Sequence, residues 1–333
     1  MESHMRAIVM DSFGSAEVLK LMDITRPAPS DNQVLIEVFA TSVNRPDLVQ
    51  REGNYPPPAG ESEILGLEVA GEIIEIGKDV TGLRLGERVA ALVGGGGYAE
   101  FAIAHPECLI KIPDLMSFEE AACICETYIT SYLNLFRIAH LETKNTVLLH
   151  GGGGGVNTAA VQLCQVLAPE ATVVVTASAR KAKEVEAMGV NYVVDYQQTS
   201  FEKEVARITQ SRGVDVILDH VGASYLQSNL RSLAIEGTLL IIGVTSGSRA
   251  EINLGTLMVK RQKICGSVLR SRSVAEKGCI INDFRQKVCP FFESRQIIPT
   301  ISEVFSLDQA RDAHLMMEEG RHFGKIVLRV KGS

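Results

Sequence analysis

The sequence predicts an α/β protein in which a parallel, doubly wound sheet is joined to a second, mostly β domain, and three patterns carry that reading. Between about Thr130 and Ser267, apolar runs of strand length alternate with stretches of helical periodicity, the rhythm of a parallel sheet connected through helices. Between Arg6 and about Ile124, short strand-like runs are instead broken by Gly and Pro turns. Five consecutive glycines, Gly151 to Gly155, follow one of the apolar runs and open a helical one.

In the first part, AIVM, VLIEVFA, EVAGEIIEIG, RVAALV and AEFAIA read as strands. Six strands follow in TVLLH, TVVVTA, NYVVDY, VDVILDH, TLLIIGV and KICGSV, with AKEVEAMG and FEKEVARITQ among the helices between them. From about Val268 the pattern predicts a helix over 275–292, a second over 307–319 and a last strand, KIVLRV, all returning to the first domain. The expected boundaries are 5–128 with 268–333 for the β domain and 129–267 for the parallel sheet. Residues 1–4 look like the remnant of an expression tag, with Met5 as the natural start. KICGSV closes the six-strand order and leaves an unpaired edge in a monomer, so a homodimer is expected.

The glycines sit in HGGGGGVNTAAVQL, where Val156, Ala160, Leu163 and Leu167 recur at helical spacing. A linker would be bounded by polar, unpatterned sequence, whereas this run occupies the tight turn of a strand, helix, strand unit. Such a turn aims free backbone N–H groups at an anion. Gly151 and Gly154 fill the first two positions of GxxGxxG, and Asn157 stands at the third. The third glycine mainly lets the helix approach the sheet, so Asn157 is expected to be tolerated, holding the helix slightly away. A glycine-rich turn with no ligand is the alternative.

With 333 residues and 46% hydrophobic content, the chain holds about two domains with sizeable cores. No apolar segment reaches the roughly 18 residues of a spanning helix, and no secretory signal opens the chain, so a cytoplasmic protein off the membrane is expected. A net charge of −7 argues against broad nucleic-acid binding. Residues 260–263, KRQK, with Arg270 and Arg272 make one basic patch, read as solvated surface. The seven cysteines form no CxxC pair, which implies neither a disulfide framework nor a zinc ribbon, and Cys123 and Cys125 on an apolar stretch read as core.

A dinucleotide fold that prefers NAD carries Asp or Glu at the end of its second strand, to hold the adenine ribose. Here that strand runs into TASARKAK, with no acid but with Ser178, Arg180 and Lys181, which suits the 2′-phosphate of NADP. Tyr196, after the third strand, is placed to face the same ribose. The alternative is a solvated helix start, although cations are disfavoured at a helix amino end without an anion there.

Taken together, VLIEVFATSVNRPDLVQREGNYPPP, ILGLEVAGEIIEIG, GLRLGERVAAL, the glycine turn, AMGVNYVVDY, ILDHVG, VLRSRS and FGKIVL resemble the medium-chain dehydrogenase/reductase superfamily over nearly the whole chain. The resemblance is to its zinc-independent quinone oxidoreductases, and SVNRPDLVQREGNYPPP with LRSR is similar to the branch of the tumour-suppressor-inducible quinone oxidoreductases. It implies a Rossmann cofactor domain and a GroES-like catalytic domain. Zinc enzymes of the superfamily use Cys, His and Cys, where this chain shows Asn44, Leu67 and Glu126, and no four-cysteine lobe lies near 94–110. Two departures are Asn157 at the third glycine and Gly154 where relatives often have serine.

The resemblance implies hydride transfer from NADPH to a quinone or other activated alkene in a cleft between the domains, since without a metal the acceptor must already be electrophilic. Asn44 and Tyr55 are implied as hydrogen-bond donors in that cleft, with Tyr55 the better proton donor. The cofactor contacts are Thr130, Gly151, Gly154, Gly155, Val156, Ser178, Lys181, Tyr196, Gly243, Val244, Gly324 and Lys325. Turn-forming and surface roles for Asn44 and Tyr55 stay open. A reductase of enoyl thioesters and a non-catalytic NADPH-binding protein are the rival readings.

Overall fold

The computed structural model describes residues 4–332. In chain order the strands are β1 (His4–Val9), β2 (Lys20–Thr25), β3 (Val34–Val43), β4 (Glu68–Ile76), β5 (Arg88–Leu92), β6 (Phe101–Ala104) and β7 (Leu109–Lys111). They continue with β8 (Thr146–His150), β9 (Thr172–Ala177), β10 (Tyr192–Asp195), β11 (Val214–Asp219), β12 (Leu233–Ile241), β13 (Lys263–Gly266), β14 (Ile301–Ser306) and β15 (Lys325–Arg329). The chain divides into two compact units, Met1–Ile129 with Leu269–Ser333, and Thr130–Val268. The expectation for residues 1–4 falls mostly outside the described residues; His4 begins β1, and Met5 is buried in it.

The first unit, the one expected from the sequence to be catalytic, is built on a sheet ordered β14-β15-β3-β4-β5-β7, with β6 also pairing β3 and with β1 and β2 forming a separate antiparallel pair. The long, largely buried β3 is its centre, because Val34, Ile36 and Val38 pack with Val69, Ile73 and Val89 from β4 and β5. At an order of ~1.5–3 kcal/mol for each fully buried large apolar side chain, such contacts set the register. β15 pairs antiparallel with β3, so the far end of the chain is hydrogen-bonded to residues near its beginning. The sequence reading missed β2, whose exposed and half-buried residues give no apolar run.

The second unit, the one expected to hold the cofactor, is a six-stranded sheet ordered β10-β9-β8-β11-β12-β13, parallel throughout. The chain starts at the centre with β8, moves outward to β10, then crosses to β11 on the other side. The order reverses between β8 and β11, and the carboxyl ends of strands at such a point are where open α/β sheets bind ligands. Leu148, Val174, Ile217 and Leu239, one from each of four adjacent strands, form its apolar centre.

Two expectations change in the last part of the chain. The helix read over 275–292 is broken at Val288 into Val274–Lys287 and Cys289–Glu293, because Pro290 has no N–H to continue the first helix. The basic patch is a solvated surface only in part, at the exposed Arg261 and Lys263. Lys260 Nζ donates to Arg231 O and Leu233 O, Arg261 pairs with Glu236, and Arg270 is buried in the catalytic unit. Cys123 and Cys125 are fully buried, as read. Among the described residues, no helix is long and apolar enough to cross a membrane.

Candidate active site

The glycine turn closes the carboxyl end of β8. Gly151 has φ +80°, and a Cβ there would stand 2.3 Å from His220 Cε1, so glycine is required by both backbone and space. Gly152 and Gly153 are closely covered, since added carbons would lie 2.4 Å from Val175 Cγ1 and 2.2 Å from Lys181 Cδ. Gly154 differs from them. Its backbone is ordinary extended chain, φ −88° and ψ 158°, and a Cβ there meets only Gly151 O at 3.7 Å. Folding alone does not demand glycine at this position. The open space borders the amino end of the helix Gly155–Leu167, whose first N–H groups lack intrahelical partners, and that combination fits a pyrophosphate.

Lys181 extends across the same turn, its Nζ 3.0 Å from where a Gly153 side chain would begin. It occupies the first turn of the helix Ala179–Ala187, with Ser178 at the N-cap position making no side-chain cap, directly after β9 ends at Ala177 with no acid. Tyr196 follows β10, and its N–H donates to Ala177 O at 3.3 Å, which places it beside the same strand end.

Beneath the turn runs a buried hydrogen-bonded chain. Thr176 Oγ1 lies 3.1 Å from His150 Nδ1, His150 Nε2 lies 2.8 Å from Asn229 Oδ1, and Asn229 Nδ2 donates to Asp219 Oδ2 at 3.1 Å. Because the Asp219 carboxylate only accepts, Asn229 must turn its oxygen to His150, so His150 carries its proton on Nε2 and accepts from Thr176 at Nδ1. Burial keeps this imidazole neutral, its pKa lowered to about 3. Asp219 also accepts the N–H groups of Val221 at 2.7 Å and Gly222 at 3.1 Å. The chain therefore joins the ends of β8, β9 and β11.

Asn157 belongs to this support, which corrects the expectation that it is merely tolerated. Its Nδ2 donates to Gly151 O at 2.8 Å and also to His150 O. The amide ties the helix to the turn rather than holding it off. Sequence reasoning missed His150, Asn229 and Asp219, although VDVILDH places Asp219 at a strand end.

The catalytic unit gathers a second polar cluster where β3, β4 and β15 lie side by side. Lys325 Nζ reaches Glu68 Oε1 at 3.0 Å, Asn44 Oδ1 at 2.5 Å and Val43 O at 3.3 Å. Asn44 Nδ2 donates to the same Glu68 oxygen at 3.0 Å, and Ser42 Oγ donates to it at 2.7 Å. The Glu126 N–H donates to Glu68 Oε2 at 2.9 Å. Lys325, expected as a cofactor contact, is instead 3% exposed with its ammonium committed to Glu68 and Asn44. Asn44 is likewise engaged through both atoms of its amide.

Tyr55 is half-buried, with the Arg270 guanidinium 5.2 Å from its ring centre. Its hydroxyl has no hydrogen-bond partner among the described residues. Burial raises its pKa, and Glu126 adds to the rise once it ionises, so the phenol keeps its proton at neutral pH. Arg270 fixes this region by donating to Gly94 O at 2.8 Å and Gln50 Oε1 at 2.8 Å. Glu126 Oε2 is shielded from water without a partner, and burial followed by Glu68 pushes its pKa up to about 8. Two protonated oxygen acids thus belong to one unit.

Of the other expected contacts, Thr130, Gly243 and Val244 lie in the cofactor unit and Gly324 in the catalytic unit. Gly324 has φ +85°, and a Cβ there would stand 2.2 Å from Thr300 O, which accounts for that glycine without a cofactor. The metal-ligand positions do not fit zinc: Leu67 is buried and has no donor atom, and the Asn44 amide is held by Lys325 and Glu68. Among the described residues, no three His, Cys, Asp or Glu side chains are grouped to hold a metal.

Residues 30–114 match the alcohol dehydrogenase GroES-like domain family, and residues 188–328 match the zinc-binding dehydrogenase family. A quinone oxidoreductase of Lama guanicoe is 31% identical over 98% of this chain and 98% of its own length. The human synaptic vesicle membrane protein VAT-1 homolog-like is 30% identical over 98% of this chain and 81% of its own. Among solved structures, a mycobacterial protein complexed with NADPH superposes with a TM-score of 0.87 at 29% identity, covering 98% of this chain and 100% of that one.

Proposed function

Because the chain belongs to the medium-chain dehydrogenase/reductase superfamily, we propose that it reduces quinones or other activated acceptors with NADPH and without a metal. The observation that carries this reading is the Lys325–Glu68–Asn44 cluster at the metal-ligand position, in a unit that also holds two protonated acids, Tyr55 and Glu126. With no Lewis acid to polarise a carbonyl, the acceptor must be electrophilic on its own, as a quinone or enone is. The quinone oxidoreductase relative supports that acceptor class.

When bound, NADPH supplies the hydride. Gly151, Gly154, Gly155 and Val156 would hold its pyrophosphate at the helix amino end, and Ser178, Lys181 and Tyr196 would hold the phosphorylated ribose. Thr130, Gly243 and Val244 would contact the rest of the cofactor. Tyr55 presents an unengaged phenol to an oxyanion developing on the acceptor, whereas Asn44, held by its neighbours, orients the cluster. We propose a homodimer as well, through the outer edge of β13, the last strand of its sheet.

Steady-state NADPH oxidation against ortho-quinones, para-quinones and enones tests the reading, with and without chelator. Quinone turnover that survives chelation is expected. Turnover lost on chelation and restored by zinc would overturn it, as would NADPH binding with no turnover of any acceptor.

A further inference from the structure

The catalytic unit contains a cavity of ≈ 340 Å³ whose lining includes Lys277, Glu61 and Ser62 together with the apolar Ile24, Leu92 and Ile103. That volume is in the range of small-molecule sites. None of the Asn44, Glu68, Glu126 and Lys325 cluster lines it.

Lys277, in the helix Val274–Lys287, is only 5% exposed, yet its ammonium makes no hydrogen bond or ion pair with any described residue. A lysine withdrawn this far from bulk water calls for an anionic or polar neighbour. Glu61 lines the same cavity, but no ion pair joins it to Lys277. Its position is set by the glycine run Gly94 to Gly97, because a Cβ on Gly94 would stand 2.2 Å from Glu61 Cδ. The walls therefore offer one cation and one anion that leave each other unsatisfied, with apolar surface besides.

We propose that this cavity binds a small organic acid, its carboxylate on Lys277, its apolar body on Ile24, Leu92 and Ile103, and a hydrogen-bond donor directed to Glu61. Both charged walls are satisfied by such a ligand, whereas a simple anion would satisfy Lys277 and face Glu61 unfavourably. Such binding does not require hydride transfer.

The test is calorimetric titration of the full chain, without nicotinamide cofactor, using 4-hydroxybenzoate, with benzoate and phenol as ligands lacking one end. 4-Hydroxybenzoate is expected to bind about tenfold or more tightly than either, since each end adds a charge-assisted hydrogen bond. Lys277→Met is expected to remove that binding and Lys277→Arg to retain most of it, with circular dichroism confirming that both fold. Glu61→Ala should erase the advantage of 4-hydroxybenzoate over benzoate. The proposal is overturned if the unmodified chain binds none of the three, or if folded Lys277→Met binds 4-hydroxybenzoate as the unmodified chain does.

Discussion

Beneath the glycine turn, Thr176, His150, Asn229 and Asp219 form a chain of mostly neutral groups ending on one carboxylate, whereas at Asn44 an ammonium and a carboxylate are buried against each other. The first arrangement fixes directions: each donor has one acceptor, and the turn inherits that order through Thr176 and Asn157. The second fixes charge, because Lys325 and Glu68 are both removed from water and each is tolerated only with the other. The parallel-sheet unit is thus organised to present backbone N–H groups, and the other unit to hold charge beside Asn44.

If the two supports differ in this way, cutting the charged one costs the most. Lys325→Met leaves Glu68 buried without its cation and is expected to lower stability by ~3–5 kcal/mol in urea unfolding. Gly154→Val is expected to leave stability nearly unchanged, since the fold leaves that position open. It should weaken NADPH by about 100-fold or more, ~2.7 kcal/mol, as read by titration calorimetry. A large loss of stability instead would show that Gly154 serves the fold. Asn157→Gly removes two donated hydrogen bonds from the neutral support and should cost ~1–2 kcal/mol of stability, with weaker NADPH binding. Tighter binding would return Asn157 to a tolerated role.

The smallest effect per step is a pH dependence of opposite sign in the two units. In the unfolded chain Glu126 ionises above about pH 4.3, but in the fold it keeps its proton to about 8, so its contribution to stability is lost as pH rises across that window. Unfolded His150 binds a proton below about pH 6.5, while the folded imidazole refuses it until about 3, so its contribution is lost as pH falls. Each changes stability by at most about 1.4 kcal/mol per pH unit. Urea midpoints measured across pH should show Glu126→Gln removing the loss of stability between about pH 4.3 and 8, while the loss tied to His150 below about pH 6.5 remains.

The parallel sheet was legible because strands buried on both faces read as continuous apolar runs, and the turn because its glycines are consecutive. The placement of Ser178 and Lys181 directly after β9 was legible too, because it depends only on neighbours close in sequence. The pairing of Lys325 with Glu68 was not, since it depends on β3 lying between β4 and β15, and nothing local to either segment specifies that order. Arg270 looked like part of a surface patch for the same reason: its partners Gly94, Tyr55 and Gln50 lie more than 170 residues earlier. Asn157 was misread because the motif assigns its position to glycine, while the hydrogen bonds of its amide appear only in the folded turn.

The most direct measurement of the central claim is titration of NADPH and NADH into the unmodified chain and into Lys181→Ala. A charge-assisted contact to the 2′-phosphate is worth ~1.5–3 kcal/mol, so NADPH should bind at least about tenfold more tightly, and the variant should lose most of that preference. Equal dissociation constants for the two cofactors in the unmodified chain would contradict the account.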